Sequence, residues 1–138
     1  MAEKATGGCQ CGAVRYELTA PPVNVYVCHC SECRRQSASA FGISVYLPSA
    51  AVRLTKGAPK RWTRPGAQSG QIDCYFCGDC GSRLWHDGRD DPTTRSLKGG
   101  SLDRPPDLSD AVHIWTKSKL PGVVVPQGAR QFPEEPED

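Results

Sequence analysis

The sequence predicts a mainly β fold of short antiparallel strands with few, short helices. Three observations carry that prediction. The 138 residues include 14 Gly and 12 Pro, which interrupt the chain too often for long helices. Short runs repeatedly alternate apolar and polar side chains, the period of a half-buried strand. Seven of the eight cysteines fall in three tight clusters, offering metal staples to a chain whose 38% hydrophobic content builds a core of modest size. One domain is expected over residues 1–132, followed by an acidic, Pro-rich and disordered tail over 133–138.

Taken in order, Ala13 to Thr19 alternates and reads as a strand that Pro21-Pro22 breaks. Val23 to Val27 alternates again and delivers the chain into Cys28. Ser31 to Ala38 is expected to be a short helix with Ser31 as N-cap. Phe41, Ile43, Val45 and Leu47 share one face of the next strand, and Val52 and Leu54 mark another after the Pro48-Ser49 turn. Residues 56–60 and 64–70 read as loops around a brief strand at Arg61-Trp62-Thr63. Gln71 to Phe76 is a strand that enters the Cys77 knuckle, and Arg83 to His86 leaves it as the second arm of a hairpin. Asp87 to Thr94 reads as a polar loop, and Ala111 to Trp115 as a late strand.

The formal charge of +2 is near neutral, so there is no electrostatic case for a nucleic-acid partner. The basic cluster of Lys56, Lys60, Arg61 and Arg64 is too small to change that. No apolar run approaches the roughly 18 residues of a membrane span, and Met1 to Thr6 carries no apolar signal core. The expected location is therefore cytoplasmic, where thiols stay reduced and eight cysteines read as metal ligands rather than disulfides.

The clusters hold two, three and two thiols: Cys9 and Cys11; Cys28, Cys30 and Cys33; Cys77 and Cys80. Gly12 and Gly81 each follow the last cysteine of a pair, where a positive φ lets the backbone curl and aim N–H groups at the sulfurs. The two pairs therefore read as matching knuckles of one structural zinc site, Cys9, Cys11, Cys77 and Cys80, which would tie the first strand to the middle of the chain. Three thiols remain. Three protein ligands with an open fourth position let zinc take part in chemistry. The competing reading closes that position with His29, His86, His113 or Cys74, making a second structural site. His29, between two ligands, is expected to point away from the metal, His86 and His113 to pack on strands, and Cys74 to be a buried free thiol. Glu32 reads as a helix-start charge, with no general base evident. Arg34 and Arg35 read either as receptors for a carboxylate or as solvated surface, and Phe41 either as a pocket wall or as core.

These motifs resemble the glutathione-dependent formaldehyde-activating enzyme family, which includes centromere protein V. Gly8-Cys9-Gln10-Cys11-Gly12 is similar to its opening, Cys28-His29-Cys30-Ser31-Glu32-Cys33 to its central motif, and Phe76-Cys77-Gly78-Asp79-Cys80-Gly81 to its second knuckle. Gly99 to Asp103, His113-Ile114-Trp115 and Val125 to Phe132 complete an ordered set running from about Gly7 to Phe132. The resemblance implies an Mss4-like (β-tent) zinc-binding fold. It also implies Zn2+ as cofactor, one ion structural and one catalytic at Cys28, Cys30 and Cys33. The implied activity is that of a carbon–sulfur lyase of the S-(hydroxymethyl)glutathione synthase type. Its partners would be a small thiol, glutathione, and an aldehyde, formaldehyde. Mss4-like folds also serve as zinc-stabilised binding modules, which is the alternative function. The chain departs from the family at Ala38, where Gly is frequent, at Gly122, where Trp often follows the Pro, and at Cys74.

Overall fold

A computed structural model describes residues 4–66 and 70–136. The expected absence of a signal core at 1–3, part of the loop at 67–69 and the end of the tail at 137–138 lie outside the described residues. Ten strands form two sheets. β1 (Thr6–Gly8), β2 (Arg15–Leu18) and β5 (Val52–Lys56) make a small antiparallel sheet in the order β1-β2-β5. The larger sheet contains β3 (Asn24–Cys28), β4 (Gly42–Pro48), β6 (Lys60–Pro65), β7 (Gln71–Phe76), β8 (Arg83–Gly88), β9 (Asp91–Lys98) and β10 (Val112–Ile114). Its order is β10-β3-β4-β9-β8-β7-β6, antiparallel except for β10 beside β3.

Strand register gives the large sheet two unlike faces. One row across it pairs Val25 with Val45, Val45 with Leu97, Leu97 with Trp85 and Trp85 with Tyr75. This apolar row meets Val14, Tyr16 and Leu18 of the small sheet in the main core. The adjacent row pairs Tyr46 with Ser96, Ser96 with His86 and His86 with Cys74. Because successive side chains alternate, this polar row lies on the opposite face. The functional cavity forms there.

Asp87 to Thr94 is not a loop. β8 and β9 run through most of it as a hairpin, with Arg89-Asp90 between Gly88 and its partner Asp91. Its strands are tied by charge rather than by apolar alternation. Arg95 makes a two-point ion pair with Asp87 at 3.0 Å while its guanidinium covers Trp85, and Arg89 bonds Asp73. The segment after Phe132 is also placed. The Trp115 N–H donates to the Glu134 carbonyl, the Trp115 indole to the Glu135 carboxylate, and Lys117 pairs with Glu134.

The single α-helix among the described residues, α1, spans Ser31–Ser37. Its N-cap is Cys30 rather than Ser31: the Cys30 sulfur accepts the Cys33 N–H at 3.3 Å, so a prospective metal ligand does the work of a capping oxygen. Ala38 ends the helix in the left-handed region, φ 50°, and its N–H caps the carbonyls of Arg34 and Arg35. That conformation costs a residue with a Cβ roughly 1–2 kcal/mol, a cost that glycine does not bear. Ala38→Gly is therefore expected to stabilise the fold by about 0.5–1 kcal/mol after the extra unfolded-state entropy of glycine is subtracted. Denaturant titration of the two proteins checks this; an unchanged or lower midpoint contradicts it.

Candidate metal centres and adjoining cavity

The first knuckle follows β1 and the second follows β7, and the two converge. The sulfurs of Cys9, Cys11, Cys77 and Cys80 all lie within 4.8 Å of one another. Cys9 and Cys11 sulfurs are 3.7 Å apart, and Cys11 and Cys77 sulfurs 3.8 Å. Four thiolates around zinc at a Zn–S distance of about 2.3 Å stand about 3.8 Å apart in a tetrahedron, so these separations fit the ion. Both knuckles close as their sequences imply, with Gly12 at φ 81° and Gly81 at φ 82°. The N–H of Val14 donates to the Cys9 sulfur at 3.2 Å, and that of Asp79 to Cys77 at 3.4 Å. The Ser82 hydroxyl sits 3.2 Å from the Cys80 sulfur, and this contact pulls the Cys80 thiol down to about 5. The Val14 N–H and the Ser82 hydroxyl favour thiolates at Cys9 and Cys80, whereas desolvation and the neighbouring sulfurs push the Cys11 thiol up to about 12.

Cys28, at the end of β3, and Cys30 and Cys33, around the start of α1, form the second group within the same 4.8 Å limit. The Cys28 thiol donates to the Cys30 sulfur at 3.3 Å, the Cys33 N–H donates to the same atom, and the Gln36 amide reaches the Cys33 sulfur at 3.6 Å. Hydrogen bonding from Cys28, then from Cys33, lowers the Cys30 thiol to about 2, and the same contact pushes Cys28 up. One sulfur thus collects the negative charge of the cluster. Among the described residues no fourth Cys, His, Asp or Glu joins the three.

The proposed closing ligands stand elsewhere. His29 alternates away from Cys28 and is fully buried, its Nε2 3.0 Å from Nδ1 of His113, with the two rings stacked. Burial lowers the pKa of both imidazoles, which favours a neutral pair sharing one hydrogen bond. Cys74 is a buried free thiol in mid-strand. His86 lies on the polar face of the sheet and lines the cavity described next.

That cavity, about 510 Å³, is bounded by all three cysteines and by Tyr26, Ser44, Tyr46, His86 and Ser96 from the polar face. Trp115, whose φ of 56° turns the chain out of β10, adds a wall together with Glu135 and Pro136. The cation at the cavity is Arg64. Arg34 and Arg35 border a separate shallow depression on the far side of α1. Sequence reasoning missed Arg64 because it sits on edge strand β6, far from the cysteines in the chain. Glu32, read as a helix-start charge, also pairs with Arg64 at 3.4 Å. Phe41 tilts against His29 and lines a different, larger cavity of about 780 Å³ between α1 and the four-cysteine knuckles. No sulfur of the three-cysteine group opens into that space, so the smaller cavity is the one relevant to chemistry.

The model of the glutathione-dependent formaldehyde-activating enzyme family matches residues 4–118. The chain belongs to this family. The matched stretch contains every cysteine of both groups and ends before the Val125 to Phe132 segment. A crystal structure of a Rhodobacter sphaeroides protein, a Northeast Structural Genomics target, superimposes with a TM-score of 0.58 at 26% identity, covering 78% of this chain and 98% of that one.

In this member of the formaldehyde-activating family, two further features fit a cation at the three cysteines. Gly42 leaves room for the knuckle, since a Cβ there would stand 3.0 Å from the Cys33 Cβ and 3.5 Å from its sulfur. The ammonium nitrogen of Lys98 is buried without a hydrogen-bond partner; desolvation lowers its pKa, and attraction to Cys33 and Cys28 as thiolates opposes that shift. Gly42→Ala is expected to displace Cys33, costing about 1 kcal/mol or more, and to weaken metal retention at the three-cysteine group while sparing the four-cysteine group. Thermal unfolding combined with chelator competition checks this; equal retention at both groups contradicts it.

Proposed function

We propose that the chain is a carbon–sulfur lyase-like enzyme of the S-(hydroxymethyl)glutathione synthase type, joining a small thiol such as glutathione to formaldehyde or a related aldehyde. One observation carries this reading: three cysteines, with no fourth ligand among the described residues, line a cavity large enough for a small substrate. In this reading Cys9, Cys11, Cys77 and Cys80 hold a structural zinc. Cys28, Cys30 and Cys33 would hold a catalytic one beside the cavity that they help to line. Zinc at the three thiolates supplies positive charge that favours the thiolate form of an incoming thiol.

The chain's own groups do the rest. The addition makes one C–S bond, breaks the carbonyl π bond and moves one proton from the thiol sulfur to the carbonyl oxygen, so nothing is oxidised or reduced. His86 is the imidazole lining the cavity. Desolvation by burial lowers its pKa well below the usual range, which keeps the ring neutral and makes it a hydrogen-bonding partner for the thiol or the aldehyde oxygen rather than a strong base. The hydroxyls of Tyr26, Ser44, Tyr46 and Ser96 line the same space as candidate partners for the aldehyde oxygen. Trp115 and the chain at 135–136 narrow it and limit water. A cytoplasmic location suits eight free thiols. Among the described residues no helix is long and apolar enough to cross a membrane.

Two zinc equivalents are expected per chain, the one at Cys28, Cys30 and Cys33 being lost first to a chelator; metal analysis during stepwise chelation measures this. Exchange NMR of glutathione with formaldehyde should show faster hemithioacetal formation with the wild type and no acceleration with Cys30→Ser. Equal rates for wild type and a folded Cys30→Ser protein would refute the enzymatic reading in favour of a zinc-stabilised binding module.

A further inference from the structure

Lys98 ends β9 one residue before the Gly99-Gly100-Ser101 turn. A lysine at such a position ordinarily extends its ammonium to water. Here the Nζ atom is buried and has no hydrogen-bond partner. Lys98 borders the larger cavity, but its charged end does not open there. An unpaired buried ammonium is costly, and proteins retain one where an opposite charge offsets it.

The register shows where that charge lies. Lys98 pairs with Ser44, Ser44 with Tyr26, and Gly42 with Cys28. Alternation places Lys98, Ser44, Gly42 and Cys28 on one face, and Cys33 lies directly over Gly42. The charged and titratable neighbours of the ammonium include Cys33, Cys28 and Cys74, which attract it as thiolates, and Arg64, which repels it; the buried His86 imidazole, kept neutral by desolvation and by this ammonium, is another. No carboxylate among the described residues forms an ion pair with it. Three thiolates and a divalent cation carry one net negative charge. The four-cysteine group offsets its larger excess with N–H donors and with the exposed position of Cys11. The three-cysteine group has two such donors, the Cys33 N–H and the Gln36 amide, but no exposed cysteine.

We propose that Lys98 is the counter-cation of the three-cysteine centre, a positioning residue that balances its charge and so holds the metal and an incoming thiolate there. This rests on the reading that Cys28, Cys30 and Cys33 bind zinc. Loss of an outer partner of this kind typically weakens metal binding by about 10–100-fold.

The test compares wild type, K98M and Lys98→Arg by zinc competition against a chromogenic chelator and by the sulfur-to-metal absorption of the cobalt-substituted proteins. K98M is expected to lower zinc affinity at the three-cysteine centre by about 10–100-fold, to leave the four-cysteine centre unchanged, and to be largely rescued by Lys98→Arg. A lysine that is merely buried predicts the reverse pattern: K98M would be at least as stable as wild type with both affinities unchanged, and that result overturns the proposal. Should K98M not fold, judged by the cobalt spectrum of the four-cysteine centre, Lys98→Gln carries the same comparison. A wild type that binds one equivalent overturns the underlying zinc reading and this inference together. Two equivalents with no effect of K98M overturn only the inference.

Discussion

The meeting of Cys9 and Cys11 with Cys77 and Cys80 joins parts of the chain 66 residues apart at the Cys11–Cys77 contact. The four sulfurs lie close enough for one cation to hold them as thiolates. Their convergence also sets the first strand against the β7–β8 hairpin. Tyr16 and Leu18 then pack on Val45, Trp85 and Leu97. The buried Tyr16 hydroxyl meets Ser101 at 2.6 Å, which anchors the turn directly after Lys98. The staple thus reaches the second cysteine group through packing rather than through direct contact.

The seven-stranded sheet separates two tasks. Its apolar face closes the core against the small sheet. Its other face carries Tyr26, Ser44, Tyr46, His86, Ser96 and Lys98, a set too polar to be buried by simple packing. The Cys28–Cys33 knuckle and the Trp115 segment cover that face and leave a cavity between them. Polar side chains held on a rigid sheet are well suited to orient a small substrate, since the strands restrict their motion. The stacked His29–His113 pair supports the knuckle from beneath by joining β3 to β10, a role that needs neutral imidazoles rather than metal ligation.

Much of this was legible in the chain. Gln71–Phe76 and the Phe41–Leu47 alternation announced their strands, because half-buried strands carry a period of two in their apolar residues. Gly12 and Gly81 announced the knuckle turns through their positive φ. The β9 strand was illegible by that rule: Leu97 is its one fully buried apolar residue, and Asp87–Arg95 and Asp73–Arg89 do the cross-strand work that apolar pairs do elsewhere. Arg64 was missed for a related reason. Its closeness to Glu32 depends on β6 pairing at the sheet edge, whereas Arg34 and Arg35 are near the cysteines only along the chain and turn away on α1.

The sequence by itself determined the mainly β class, the family and the division of seven thiols into two pairs and a triplet, since these follow from composition, ordered motifs and local spacing. The tertiary structure decided which residues surround the triplet. Strand register carried Lys98, His86 and Arg64 to it, turned His29 away to His113, and brought Glu135 to the cavity wall. Register is set by long-range backbone pairing between strands, and no local pattern of residues encodes it.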